Sequence, residues 1–118
     1  MAAAKLKLTI EQGATFRKTL TWKTGATPTP VNLTGCTARM QLRSEVASPT
    51  VLLSLTTENG GIALGGTSGT IVLLVSATAT ALITWAAAVY DLEVVFANGD
   101  VRRLVYGPVT VSLEVTRD

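Results

Sequence analysis

Alternation of apolar and polar residues constrains this chain more than any other feature. In KLKLTIE, Leu6, Leu8 and Ile10 fall on one side and Lys5, Lys7 and Thr9 on the other, the period of a strand with one buried face. CTARMQLRS repeats it, with Ala38, Met40 and Leu42 inward and Arg39, Gln41 and Arg43 outward. ATFRKTLTW keeps it less well, because Lys18 shares the side of Phe16, Leu20 and Trp22. VNLTG reads as a short extended piece, TVLLSLTT as a strand, and TIVLLVS, a continuous apolar run, as a central strand covered on both faces. KTGATPTP and GGTSG are loops by their glycines and prolines, and ENGG is a turn whose Asn59-Gly60 is a hairpin signal. SATATALI is the one helical segment, near 76–84, with Ser76 as its N-cap. YDLEVVFANGDVRRLVYG is a hairpin, and PVTVSLEVTR a last strand after it. Eight or nine strands at this spacing imply an all-β sandwich or barrel, in one domain over residues 1–118.

Composition narrows the functions open to such a domain. The chain has no histidine and a single cysteine, Cys36. An intrachain disulfide and the common zinc arrangements are therefore excluded, as is the usual base of Ser/His and Cys/His catalysis. Cys36, inside LTGCTARM, reads as a small buried apolar residue rather than a reactive thiol. A formal charge of +2, spread over single and paired basic residues, offers no run that would track nucleic acid. MAAAKLKLTI interrupts its apolar residues with lysines, so no signal peptide is expected. The uncharged stretch from Ile62 to Tyr90 is broken by glycine, serine and threonine, unlike a membrane-spanning helix. NGGIALGG and GGTSG lack the strand-to-helix context and the lysine of a phosphate loop. No catalytic residue, cofactor site or metal site emerges, and no enzyme is expected.

Face matching fixes the hairpin turn. A two-residue Asn98-Gly99 loop would set Val94 against Arg103 and Glu93 against Leu104. A three-residue loop, Ala97-Asn98-Gly99, sets Phe96 against Asp100, Val95 against Val101 and Glu93 against Arg103. Continued without interruption it brings Leu92 opposite Leu104 and Tyr90 opposite Tyr106, with Val94 against Arg102 remaining a mismatch. This register predicts a type I turn with a G1 bulge at Gly99 and a cross-strand Glu93–Arg103 pair of structural value. Arg102 and Arg103 are the candidate interface residues of the hairpin. Trp22, Trp85, Tyr90 and Tyr106 all fall near a strand or helix expected to bury them, which disfavours a carbohydrate- or receptor-binding surface.

A short helix just before a tyrosine-bearing strand also occurs in immunoglobulin-like sandwiches, where such a tyrosine ties down the preceding corner. Tyr90 fits that role, and equally that of an interfacial core aromatic. Taken in order, EQGATFRKTLTW, LTGCTARMQLRS, LTTENGGIAL, GTIVLLVSATATALITW and AVYDLEVVFANGDVRRLVYGPVTVSLEVTR resemble small structural proteins of tailed bacteriophages and prophages. These are likened to the immunoglobulin-like N-terminal module of upper baseplate proteins. The departure is SATATAL, where relatives tend to carry an acidic residue in the helix.

The resemblance implies an immunoglobulin-like antiparallel β-sandwich with no catalytic residues, made in the host cytoplasm and incorporated in the virion. Its partners would be tail, baseplate, portal or capsid subunits, with further copies of itself in a homo-oligomer, and neither nucleic acid nor membrane. An adaptor in the tail or baseplate region is the first expectation, and a capsid decoration or head-to-tail protein the second. Because Asp118 directly follows the last strand, no fibre or receptor-binding domain is expected after it.

Overall fold

The computed structural model describes residues 3–116. The strands are β1 (Ala4–Lys5), β2 (Leu8–Glu11), β3 (Phe16–Thr21), β4 (Lys23–Thr24), β5 (Thr29–Pro30), β6 (Thr37–Arg43), β7 (Leu53–Thr56), β8 (Ile62–Leu64), β9 (Thr70–Val75), β10 (Ala87–Val95) and β11 (Val101–Ser112). The larger sheet runs β1-β11-β10-β6-β7, with β2 also on β11, and the smaller runs β3-β9-β8. β4 and β5 form a two-stranded ribbon inside the expected KTGATPTP loop. In immunoglobulin lettering the smaller sheet supplies strands B, E and D, and β11, β10, β6 and β7 supply G, F, C and C′. The fold is an immunoglobulin-like all-β sandwich. It departs from a fully antiparallel one at its N-terminal edge, where β1 and β2 run parallel to β11.

Alternation builds the core as the sequence implies. Leu8 and Ile10, Ala38, Met40 and Leu42, and Ala88, Tyr90, Leu92 and Val94 point inward from the larger sheet, against Ile71, Leu73 and Val75 of β9. Each large aliphatic side chain so removed from water contributes about 1.5–3 kcal/mol. β9 is central as expected but covered fully on one face only, since Val72 and Leu74 are half-buried on its outer side. Cys36 is half-buried and packs against the core. Lys18 does take an inward register position, opposite Leu73, and stays exposed because β3 is a sheet edge.

Two connections differ from expectation. Asn59-Gly60 does not close a hairpin, because β7 and β8 lie in different sheets and the turn carries the chain across the sandwich. Asn59 holds it by accepting the N–H groups of Thr56 and Gly61 at 2.9 and 2.8 Å. VNLTG is irregular, pinned by its buried Leu33, whose N–H donates to Gly66 O at 2.8 Å. The helix, α1 (Ala77–Ala81), is a little over one turn, and the Ser76 hydroxyl caps it by accepting from Ala79 N at 3.2 Å. Its buried Thr80 donates to Ala14 O at 2.8 Å and accepts from Gly13 N at 3.1 Å, which fixes the β2–β3 turn beneath it.

The hairpin turn forms as the face argument requires. Gly99 N donates to Phe96 O at 2.9 Å and Phe96 N to Asp100 O at 2.8 Å, with Gly99 at φ +94°. That is a three-residue type I turn with a G1 bulge, and Asn98 reinforces it by accepting from Asp100 N at 2.9 Å. Val95↔Val101, Val94↔Arg102 and Glu93↔Arg103 pair as expected.

Beyond Arg103 the register changes. Leu92 meets Val105 rather than Leu104, Asp91 meets Tyr106, and Tyr90 meets Gly107. The extra residue, Leu104, is a second bulge. Its cause lies farther along the strand, where Val105, Val109 and Val111 must all point inward. Unbroken alternation from the turn would send those three valines to solvent, and one inserted residue restores their phase. Tyr106 thereby moves to the outer face and is 38% exposed, contrary to the expectation that it is buried opposite Tyr90.

The expected break between hairpin and last strand is also absent, since β11 runs through Pro108 as an interior strand. Proline is rare there because it has no N–H to give the ladder. Leu6 N donates to Tyr106 O at 2.8 Å, and the next donor due on that edge in a parallel ladder would be residue 108. Leu6 O would be stranded, but the Tyr90 hydroxyl donates to it at 2.7 Å. Gly107 makes room, because a Cβ there would come within 2.5 Å of the Leu6 carbonyl oxygen. Tyr90 therefore does not tie down the corner that precedes its own strand. It is a core aromatic whose hydroxyl fastens the N-terminal strand. Arg117, part of the expected last strand, lies outside the described residues, and regular pairing ends at Ser112.

Candidate functional site

The outer face of the larger sheet is hollowed into a groove of about 770 Å³. Its floor is set by register. One row across the strands reads Arg103, Glu93, Arg39, and the next reads Lys5, Tyr106, Asp91, Gln41. Pro108, Val89 and Arg43 form the third, and Val46, 89% exposed on the β6–β7 loop, lines the groove beside them. Acids thus occupy the central strand β10, and bases the strands on either side.

Glu93 does stand opposite Arg103, but the two side chains do not pair with each other. Glu93 is bonded instead by Arg39, its neighbour on β6, with Arg39 Nε donating to Oε1 at 2.8 Å. Arg103 lies 4.0 Å from the Asp91 carboxylate and stacks over the Tyr106 ring, 5.1 Å from its centroid. The physical reason is topological: β10 has two neighbours, and the sequence pattern had supplied only one of them. All four partners are substantially exposed, so each pair contributes at most about 1 kcal/mol.

Other candidates fall elsewhere. Arg102 projects from the opposite side of β11, toward a smaller cleft of about 350 Å³ lined also by Trp22, Phe96 and Asn98. Trp22 and Phe96 pack there with ring centroids 5.8 Å apart, and the buried Trp22 indole N–H has no partner. Gly99 is at the hairpin tip, exposed, and belongs to the turn. Tyr90 lies beneath the groove, where burial pushes its phenol up to about 12. Among the described residues no group of three or more histidine, cysteine or acidic side chains could hold a metal, and no helix is long and apolar enough to cross a membrane.

Sequence reasoning missed Lys5, Arg39, Arg43 and Tyr106 as parts of one surface. The outward alternation of Arg39 and Arg43 was a usable signal, but nothing local says that β6 lies beside β10. Compared with known proteins, the chain matches no family model and no curated sequence.

Proposed function

We propose that this chain is a non-enzymatic virion structural protein of a tailed bacteriophage, a module that assembles through the groove on its larger sheet. The observation that carries this reading is the make-up of that groove: arginines, an exposed tyrosine and an exposed valine spread over a broad concave face. Arginine and tyrosine are enriched in protein–protein interfaces, and here Arg39 and Arg103 pair with Glu93 and Asp91. The resemblance to phage structural modules supplies the setting, and with it partners among tail, baseplate, portal or capsid subunits and further copies of the chain. An adaptor in the tail or baseplate region remains the first choice by that resemblance, with a capsid decoration or head-to-tail protein as the alternative.

Quantitative mass spectrometry of purified particles from the phage that encodes the chain tests this. The expected result is a stoichiometric component in many copies, and its absence from intact particles would sink the reading. Tyr106 supports a second reading, because an aromatic ring flanked by charged groups in a groove can stack on a sugar. Glycan-array binding that is lost in Tyr106→Ala would place carbohydrate recognition ahead of assembly.

A further inference from the structure

Charge is distributed unevenly between the groove and the rest of the molecule. Four of the ten basic residues line it (Lys5, Arg39, Arg43 and Arg103) against two of the eight acids, Asp91 and Glu93. The remaining chain carries six of each, so the entire formal excess of +2 belongs to this one surface. Internal pairing absorbs Arg39 and Arg103. Lys5 and Arg43 have no carboxylate within ion-pairing distance among the described residues. Arg43 donates only to neutral acceptors, Ser48 O and Gln41 Oε1, both at 2.7 Å.

These two cations stand at opposite ends of the floor. Lys5 is on β1 and Arg43 on β6, three strand spacings and one row apart. At about 4.8 Å per strand and about 3.4 Å per residue, that is a separation of roughly 16 Å. In the two rows they span lie Tyr106, Asp91, Gln41 and the apolar Val89 and Pro108, with Val46 beside, while the Glu93–Arg39 pair occupies the row beyond. Nucleic acid fits this badly, because evenly spaced phosphates would meet Asp91 in the middle. A peptide fits it if its charges are at its two ends.

We infer that the groove receives an extended acidic segment of a partner protein, with two carboxylates about four or five residues apart and an apolar side chain between them. One carboxylate pairs with Lys5 and the other with Arg43, and the apolar residue packs against Val89, Pro108 and Val46. This rests on the assembly reading above and names the chemistry of the partner it requires.

A random peptide library selected against the intact chain tests it, with winners re-measured on the double variant Lys5→Glu/Arg43→Glu. The winners are expected to carry the spaced acids, to bind more weakly as salt rises, and to lose about tenfold or more affinity on the variant. Exchanging their acids for lysines should restore binding to the variant, which also shows that the variant is folded. Winners without acidic bias, or no winners, overturn the inference. So do acidic winners that bind the variant unchanged. Concentration-dependent dimerisation in sedimentation equilibrium, abolished by the variant, overturns it in favour of a second copy. Failure here with the chain present in virions leaves the assembly reading standing. Spaced-acid binding by a chain absent from virions would leave the groove and remove the phage setting.

Discussion

The two halves of β11 obey different authorities. From Val101 to Arg103 the strand follows its turn: Gly99 and Asn98 set the loop, the loop sets the register, and Glu93 meets Arg103. From Val105 to Ser112 it follows a segment about a hundred positions away in sequence, with Leu8 to Glu11 aligned on Val109 to Ser112. Leu104 is the seam, where one extra residue reconciles two incompatible phases of alternation. A hairpin's register is local only as far as local forces are unopposed. It also explains the groove, because the bulge is what turns Tyr106 outward beside Asp91 and Lys5.

The largest way to break the second half is Gly107→Val. Its Cβ would come within 2.5 Å of the Leu6 carbonyl oxygen. We expect a loss of about 3 kcal/mol in denaturant unfolding, typical of overpacking. Amides of residues 8–11 should lose hydrogen-exchange protection while those around the turn keep it. Equal loss at both ends would show that the halves are not separable.

Tyr90→Phe acts on the same half more gently. It strands the Leu6 carbonyl and should cost about 1–2 kcal/mol. It also carries a pH signature. The buried phenol keeps its proton up to about 12, whereas an unfolded tyrosine ionises from about 10. Above pH 10 the unfolded chain holds fewer protons than the folded one, so the stability this group contributes is intact below about 10 and is lost as pH rises toward about 12. Alkaline denaturation curves for the wild type and the variant should therefore converge across that window. Parallel curves would mean that the tyrosine is not protected by burial.

Gly99→Ala probes the first half. Nothing lies within 4 Å of the position, yet φ is +94°. The cost should be about 1 kcal/mol, from backbone conformation alone. The smallest effect belongs to Glu93→Gln, which removes an exposed pair with Arg39. A double-mutant cycle should give about 0.5 kcal/mol for Glu93–Arg39 and a smaller value for Glu93–Arg103. The reverse order would restore the simple cross-hairpin pair.

Much of the architecture was legible from particular residues. Outward Arg39 and Arg43 against inward Met40 and Leu42, the turn at Asn98-Gly99, and the cap at Ser76 all rest on interactions within a few positions, which any strand or turn of that composition repeats. The site was legible only in part. Arg103 and Glu93 were identified, but the partner of Glu93, Arg39, depends on which strand lies on the other side of β10, and Arg103 reaches diagonally to Asp91 on the hairpin strand it was expected to face. Asn59-Gly60 shows the same limit, since its turn chemistry is as expected while its two strands go to different sheets.

By itself the sequence determined the longer strands, most of their buried faces, the hairpin turn and the lack of histidine, because these follow from residue type and period. Only the tertiary structure decided that a proline could sit inside a sheet, that a distant tyrosine would supply its missing hydrogen bond, and that Tyr106 would face outward beside Asp91 and Lys5. Each depends on the docking of Leu6 and its neighbours against β11, a contact between the two ends of the chain that no local pattern encodes.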